Sequence, residues 1–297
     1  MNQADVVGIG YCTLDYVTLV DAYPEMDSKV EVRDFVEDGG GPTATALVTL
    51  ARLGVHTRMF GKVGNDLRGN LIRQGLERED VDLSHFVLEE NATSPLSLIV
   101  VDKSSGKRTI IYTKGNASKI RPEEINRDML QGAKILHIDG HQMDASRLAC
   151  QWAREMGIQV VLDAGSIRPG MSDLVAASDY VVSSRSFALD FTSAETIEDA
   201  AETIFAQGSH AAVVVTNGEK GGFCISKTVK FHYVAASVEV VDTTGAGDVF
   251  HGAFDYGLLQ NWSLENIVHF ASVVAGLKCR KLGGRSGIPT LEQAVLT

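Results

Sequence analysis

The stretch Asp242-Thr-Thr-Gly-Ala-Gly-Asp248 places a glycine-rich turn directly before an acidic residue and the start of an amphipathic helix. The apolar positions that follow recur at three- and four-residue steps, which is the period of a helix. The first N–H groups of a helix have no partner within it, and the helix dipole makes this end positive. Small residues at Gly245, Ala246 and Gly247 would let an anion approach those amides closely. Asp248 then stands where a carboxylate could accept a proton from a hydroxyl that attacks a bound phosphoryl group.

The same residues would also suit an ordinary capped helix, so the pattern of the whole chain is needed to choose between a capped helix and an anion-binding site. β-Branched runs alternate with helical periodicity through most of the chain. Strand patterns cover 5–10, 57–63, 134–139, 158–163, 179–182 and 211–216, and helical patterns cover 43–53, 66–79, 144–156, 194–207, 246–260 and 263–281. This alternation predicts an α/β fold with a mainly parallel sheet. No linker, repeat or low-complexity segment divides residues 1–297, which we expect to form one domain.

A second pattern predicts a small separate sheet. Residues 11–20, 29–36 and 96–113 alternate apolar and polar positions without an intervening helix, and 103–107 has the composition of a hairpin turn. Such a sheet has one apolar face that needs a cover. A bound ligand or the same sheet of a second subunit would provide it, so we expect a homodimer.

Composition limits the classes of partner. The chain has 27 basic and 38 acidic residues and a formal net charge of −11, without a run of basic residues, which argues against a nucleic-acid partner. Its four cysteines form no C-x-x-C pair and are typical of reduced thiols. The N-terminal residues lack the features of a signal peptide, and no apolar window is long enough to cross a membrane. We therefore expect no membrane association and a cytoplasmic location.

Two further clusters are candidates for binding a polyol. Asp38-Gly-Gly-Gly-Pro-Thr43 precedes a helical run, and it is either a flexible turn or a loop that brings amides and Asp15 to sugar hydroxyls. His137-Ile-Asp139-Gly-His141 follows a strand pattern. A metal site there lacks a third ligand nearby in sequence, so Asp139 and His141 are better explained as hydrogen-bonding partners of a substrate.

A third cluster follows the strand pattern at 211–216. Thr216 and Gly218 stand at its carboxyl end, where ligands of parallel sheets bind. The polar, glycine-rich run at 217–222 is also compatible with a hairpin turn.

These motifs together resemble the ribokinase (PfkB) family of carbohydrate kinases. The segments 39–54, 61–66, 215–222 and 242–254 match its signatures in order and separation over nearly the full length. The strand that begins at Arg108, the segment 136–140 and the overall size are most similar to ketohexokinase. The triple-glycine loop also resembles the branch of the family that phosphorylates sulfofructose.

The resemblance implies a three-layer α/β/α domain with a small β-sheet lid and ATP-dependent transfer of the γ-phosphoryl group to a sugar hydroxyl, with a ketose such as fructose favoured. It implies that magnesium arrives with ATP and that Asp242, Thr244 and the loop 283–287 could hold a potassium ion. Residue by residue, it implies the following roles: Asp248 as the base; Gly245, Ala246 and Gly247 as the anion hole; Asp15, Gly39, Gly40, Gly41, Thr43 and Asp139 against the sugar; and Thr216, Gly218 and Gly221 along ATP.

Two departures from the family pattern qualify these roles. Ser184-Arg-Ser-Phe187 stands where many members have Asn-x-x-Glu, so we assign no metal ligand in the protein. His141 stands where the two similar branches have an arginine. Neutral imidazole lacks a fixed charge, and we therefore do not expect a substrate whose anionic group depends on that arginine. A nucleoside kinase of the same family and a non-catalytic sugar sensor remain the alternative functions.

Overall fold

The computed structural model describes residues 3–296, and strands alternate with helices along this part of the chain. The strands are β1 Val6–Ile9, β2 Thr13–Val20, β3 Asp34–Gly40, β4 Thr57–Phe60, β5 Lys62–Gly64, β6 Val87–Glu89, β7 Leu96–Asp102, β8 Arg108–Thr113, β9 Ile135–Ile138, β10 Gln159–Ala164, β11 Tyr180–Ser184, β12 Ala212–Thr216, β13 Gly222–Ser226 and β14 Lys230–Tyr233. The helices are α1 Pro42–Arg52, α2 Leu67–Glu77, α3 Met143–Met156, α4 Met171–Ala177, α5 Arg185–Thr192, α6 Ile197–Phe205, α7 Ala246–Leu259, α8 Leu264–Lys278 and α9 Leu291–Val295.

The central sheet has the strand order β14-β13-β12-β11-β10-β9-β1-β4. Strands β4, β1, β9, β10, β11 and β12 run parallel, and β13 and β14 add an antiparallel edge. The α/β prediction is confirmed, and the predicted core strands and helices are present with ends that differ by a few residues. The exception is 57–63, which divides at Gly61 into β4 of the central sheet and β5, which pairs with β6 in a separate sheet. No sequence pattern predicted α4 and α5, which are short and carry little periodic signal.

Alternate residues of the central strands enter two different hydrophobic clusters. Val7 and Leu136 pack with α3, α4, α5 and α6, whereas Val6 and Ile135 pack with α1, α2, α7 and α8. Successive side chains of a strand point to opposite faces, so helices cover both faces of the sheet and the architecture has three layers. Within residues 3–296, no helix is both long and apolar enough to span a bilayer. All four cysteines are buried and unpaired.

The predicted small sheet is present, and we call β3, β2, β7 and β8, in this order, the lid. Strand β2 pairs antiparallel with β3 and parallel with β7, and β7 and β8 form the predicted hairpin across 103–107. The predicted bounds 29–36 are wrong for one strand. Residues 29–33 are exposed and outside any strand, while β3 continues through Gly39 and Gly40, which pair with Leu14 and Thr13 of β2.

Helices α1 and α7 pack closely because Gly252 lies between them. A Cβ atom built on Gly252 would lie 2.4 Å from the main-chain oxygen of Ala46 on α1. The two helices carry the triple-glycine segment and Asp248 at their N-terminal ends, so this contact fixes the separation of the two motifs.

We predict that Gly252→Ala lowers the free energy of unfolding by about 2–3 kcal/mol, because the added methyl group must push α1 and α7 apart. Gly75→Ala in α2 is the matched control, since a Cβ there meets nothing within 4 Å. That control should stabilise the protein by roughly 0.5–1 kcal/mol through helix propensity. Urea unfolding of the three proteins measures both effects, and equal shifts would contradict the proposed packing.

Candidate active site

The N-terminus of α7 lies at the carboxyl edge of the central sheet and presents unpaired amides. Gly245 has φ of 73°, a conformation that favours glycine, and a Cβ there would come within 2.9 Å of the oxygen of Gly284. The amide of Ala246 donates to the oxygen of Thr243 at 3.2 Å. Among residues 3–296, the amides of Gly247 and Asp248 have no backbone or side-chain acceptor, and nothing lies within 4 Å of a Cβ built on Gly247. An anion could therefore reach two donors at this helix end.

Asp242 holds the loop that leads into this helix. Its Oδ1 accepts from the amide and the hydroxyl of Thr244 at 2.8 and 2.7 Å, and its Oδ2 accepts from the amide of Gly283 at 2.9 Å. The ammonium of Lys278, which is fully buried, donates to the main-chain oxygen of Asp242 at 2.9 Å. Burial lowers the pKa of Lys278, against the attraction of Asp242. The loop is thus fixed by one carboxylate and one buried cation.

The carboxylate of Asp248 is partly exposed at the start of α7. Desolvation raises its pKa to about 6, repulsion from Asp163 and Asp139 adds to the shift, and His251 and Arg108 oppose it. A base works best when its pKa lies near the working pH, so this environment suits a proton acceptor.

A buried polar cluster lies behind Asp248. Burial raises the pKa of Asp163 to about 7, and its Oδ2 lies 3.4 Å from Nδ1 of His251. The ring of His251 also reaches the main-chain oxygens of Gly247 at 2.7 Å and Val182 at 3.1 Å. This ring therefore joins the anion-binding turn to strand β11.

Asp139 joins three elements on the other side of the site. Its Oδ2 accepts from the amides of Tyr11 at 2.8 Å and Thr43 at 3.3 Å, and its Oδ1 accepts from the amide of His141 at 2.9 Å. Burial opposes ionisation, but His141 and these donors hold the pKa of Asp139 below its usual range. The hydroxyl oxygen of Thr43 is buried without a partner. The structure thus brings together Thr43, Asp139 and His141, three of the residues that the sequence analysis assigns to the sugar.

The triple glycine lies against Asp15 and Arg285. A Cβ on Gly40 would lie 2.0 Å from Oδ2 of Asp15, and one on Gly39 would lie 2.1 Å from Nη1 of Arg285. Gly41 has φ of 95° and a Cβ there would lie 2.4 Å from the oxygen of Tyr11. Of the two alternatives, the flexible turn is therefore wrong for Gly39 and Gly40, which end strand β3 and are held by surrounding side chains.

Asp15 is a buried acid that faces the same space. Its Oδ1 has no hydrogen-bond partner. Burial raises its pKa to about 6, a hydrogen bond to Ser97 and the charge of Arg285 oppose this, and repulsion from Asp38 and Asp248 adds to it. The interaction with Asp248 indicates that the predicted sugar residue and the predicted base share one site.

The three residues predicted along ATP lie at the carboxyl end of β12. The hydroxyl of Thr216 donates to the oxygen of Ser183 at 3.2 Å. Gly218 has φ of 57° and open space around a Cβ position, whereas a Cβ on Gly221 would lie 1.9 Å from the oxygen of Tyr233. Gly218 is thus free to face a ligand, and Gly221 is required by the packing of its own backbone against β14.

Three basic side chains complete the site although no sequence pattern assigned them these contacts. Arg285 donates to the oxygen of Gly40 at 2.9 Å, and Arg108 of the lid donates to the hydroxyl of Thr243 at 2.8 Å. Arg168 approaches His141, with Nη2 and Nε2 2.7 Å apart. All three join segments far apart in sequence, which is why local patterns do not reveal them.

The side chains fit a metal ion poorly. Among the described residues, no group of three or more His, Cys, Asp or Glu could hold one. The hydroxyls of Ser184 and Ser186, at the family's Asn-x-x-Glu position, contact each other at 3.1 Å. His137 contacts Asp255 at 2.8 Å in the core and does not join His141. A cation that accompanies a triphosphate would find its ligands mainly on the phosphates.

Comparison with known proteins shows the family. A model described as pfkB family carbohydrate kinase matches residues 3–291, so the chain belongs to this family of kinases. An ATP-dependent ribose-1-phosphate kinase of Halopiger xanaduensis is 29% identical over 97% of this chain and 95% of the relative.

Solved structures show the same fold. A candidate ribokinase from Agrobacterium tumefaciens superposes with a TM-score of 0.93 at 26% identity, over 99% of this chain and 97% of the other. A candidate ribokinase II from E. coli, solved with ATP and Mg²⁺, gives a TM-score of 0.86 at 22% identity over 99% and 98%. The protein is thus a ribokinase-like carbohydrate kinase with a central α/β/α domain and a small β-sheet.

We predict that Lys278→Met lowers the free energy of unfolding by about 3 kcal/mol, because it leaves the buried Asp242 carboxylate and its main-chain oxygen without their cation. Lys281→Met is the control, since Lys281 is exposed nearby and should change stability by less than about 0.5 kcal/mol. Chemical denaturation measures both. A Lys278→Met protein as stable as the control would contradict the assigned role of this buried cation.

Proposed function

We propose that this kinase transfers the γ-phosphoryl group of ATP to a hydroxyl of a small sugar, a ketose such as fructose or a related sugar. The observation that carries the proposal is the carboxylate of Asp248 beside the two unpaired amides of Gly247 and Asp248. A base and an anion hole within one helix turn allow deprotonation of the acceptor and neutralisation of the transferred group in the same small space.

In this proposal the residues around the site have different roles. Asp248 takes the proton of the attacking hydroxyl. The amides of Gly247 and Asp248, rather than that of Ala246, which already donates to Thr243, hold the phosphoryl oxygens, which is consistent with the open space beside Gly247. Asp15 and Asp139 bind other hydroxyls of the sugar, since both are carboxylates that only accept hydrogen bonds when ionised. Positioning and charge stabilisation supply most of the rate enhancement in such transfers.

The nucleotide would lie along Thr216, Gly218 and the turn before α7. Magnesium, when bound, would screen the charge of the phosphates. Potassium at Asp242 and Thr244 stays a prediction, and Lys278 bears on it because its ammonium already donates to the main-chain oxygen of Asp242. We infer that this tethered cation supplies positive charge under the loop.

The alternative acceptor, a nucleoside, would need an aromatic slot for its base. Tyr16 and Phe35 do not offer one to this site, because their rings contact each other at 5.6 Å on the opposite face of the lid. Tyr112 remains the one candidate among the three aromatic residues considered from the sequence. The non-catalytic sensor is disfavoured by the raised pKa of Asp248, which a passive binding site does not require.

We predict that Asp248→Asn lowers kcat by about 10³-fold or more, because an amide cannot accept the proton, and leaves sugar affinity within about threefold. Steady-state kinetics with ATP and a sugar panel, together with calorimetric titration of the sugar, measure the two effects. Asp190→Asn is the control, since Asp190 is exposed on α5.

The dependence of kcat on pH tests the role of Asp248 independently of the mutation. Because Asp248 must be ionised to act, wild-type kcat should fall about tenfold per pH unit below the pKa of about 6. Near wild-type turnover in Asp248→Asn, or a profile that is flat down to pH 4, would rule out this base.

We further propose that the chain, as one domain, forms a cytoplasmic homodimer through the outer face of the lid. Residues paired across strands share a face, and Leu98 pairs with both Tyr16 and Ile111 on this one. Phe35, Leu98 and Ile111 there are 52%, 46% and 56% exposed, which is unusual for large apolar side chains in contact with water. A second lid would cover them. The free, buried cysteines are consistent with a reducing compartment.

We expect the wild-type protein to elute with about twice the chain mass of 31.9 kDa in light scattering, and Ile111→Asp to elute as the monomer. A charge buried in an apolar interface without a partner explains the loss. Val234→Asp is the control, since Val234 is exposed away from the lid and should stay dimeric. A monomeric wild-type protein would contradict the interface.

A further inference from the structure

The loop after β10 places a guanidinium at the end of the sugar site. Nη2 of Arg168 lies 2.7 Å from Nε2 of His141, and the His141 ring stacks on Tyr11 with centroids 4.4 Å apart and planes 14° from parallel. The sequence alone suggested that this end of the site carries no fixed positive charge. Arg168, 27 residues from His141 in sequence, supplies one.

The hydrogen bond between Arg168 and His141 determines which ring nitrogen of His141 is the acceptor. A guanidinium only donates, so Nε2 of His141 must be the unprotonated acceptor. Nδ1, on the other side of the ring, lies 3.2 Å from Oδ1 of Asp139 and has no hydrogen-bond partner. The ring therefore lies between the Arg168 guanidinium, the Asp139 carboxylate and the ring of Tyr11. It orients Arg168 without cancelling its charge.

Arg168 has donors to spare. Among residues 3–296, no carboxylate lies within 4.0 Å of its guanidinium nitrogens, and its Nε is buried without an acceptor. Arg147 on the neighbouring helix α3 also has a buried Nε without an acceptor, but unlike Arg168 it forms ion pairs with Asp144 and Asp173. A buried donor without an acceptor costs free energy in the ligand-free protein. An anion brought by a ligand would satisfy it.

A second cation lies within electrostatic reach. Lys119 follows the lid hairpin, and burial and repulsion from Arg168 lower its pKa while Asp139 opposes this. Lys119 and Arg168 therefore repel each other, in a protein whose net charge is −11. A neutral polyol would gain little from that arrangement, whereas an anionic group would be bound by both.

We propose that Arg168, with Lys119, forms a subsite for a negatively charged substituent of the sugar, a phosphate, sulfonate or carboxylate. The inference rests on the proposed function and narrows its substrate class. The hydroxyls next to that substituent would lie on Asp139, and the reacting hydroxyl would lie at the opposite end, near Asp248. The planar fork of arginine can donate two parallel hydrogen bonds to any of the three groups.

The test compares charged and neutral sugars with wild type, Arg168→Gln and Arg168→Lys. The neutral sugars are ribose and fructose, and the charged ones are ribose 1-phosphate, 6-deoxy-6-sulfofructose and 2-ketogluconate, which separate the three anions. Wild type should use at least one charged sugar with higher kcat/KM than either neutral sugar. Arg168→Gln should lower kcat/KM for that sugar by about 10- to 100-fold, mainly through KM, and leave neutral sugars within about threefold. Arg168→Lys should lie between, since it keeps the charge and loses the fork.

Arg154→Gln on the exposed side of α3 is the control for loss of one positive charge and should change neither class. Equal losses for charged and neutral sugars in Arg168→Gln would mean that Arg168 only orients His141, and the subsite would be wrong. Phosphorylation of neutral sugars alone would overturn the subsite and keep the proposed function. Phosphorylation of no sugar would overturn the proposed function, and titration of the three charged sugars into wild type and Arg168→Gln with ADP would still decide the subsite.

Discussion

The site depends on how Asp242 fixes the turn before α7. A glycine-rich turn loses much conformational freedom on folding, and its amides are useful to an anion only if they are held still. Three donors on the Asp242 carboxylate and the Lys278 ammonium on its main-chain oxygen supply that restraint from three different segments. Lys278 lies at the end of α8 and Gly283 in the loop that follows, so the C-terminal part of the chain holds the turn from behind.

The same edge of the sheet gathers carboxylates whose charges oppose one another. Asp15, Asp163 and Asp248 all have raised pKa values, with burial as the largest cause in each case. Burying such groups is unfavourable for folding unless partners compensate, and Oδ1 of Asp15 and Oδ2 of Asp163 have no hydrogen-bond partner. Buried acids without hydrogen-bond partners are expected in a ligand-free binding site, because the ligand supplies the missing donors. The apolar surface buried in the two large hydrophobic clusters, one on each face of the sheet, offsets the unfavourable free energy of burying these carboxylates.

Sequence patterns predicted the fold well and the site in part. Periodicity found the core strands and longer helices because each pattern is local, and local motifs are enough to put Asp248 at the start of α7, Thr43 at the start of α1 and Asp139 just after β9. Two kinds of feature escaped. The role of Gly39 and Gly40 depends on pairing with β2 and on the side chains of Asp15 and Arg285, which fill the space that their own side chains would occupy. The contacts of Arg168, Arg285 and Lys278 join segments that are distant along the chain, and no spacing rule identifies such partners.

His141 shows why a substitution within a motif is a weak guide to charge. A histidine in place of an arginine removes a guanidinium from one position, yet the space around that position decides whether another residue restores it. Here Nε2 of His141 accepts from Arg168 while Nδ1 lies 3.2 Å from the Asp139 carboxylate, so one ring stands between an acidic and a basic side chain. The charge of the site is therefore a property of the folded loop after β10 together with β9. Electrostatic character at a binding site has to be read from the side chains that converge there, whichever segment carries them.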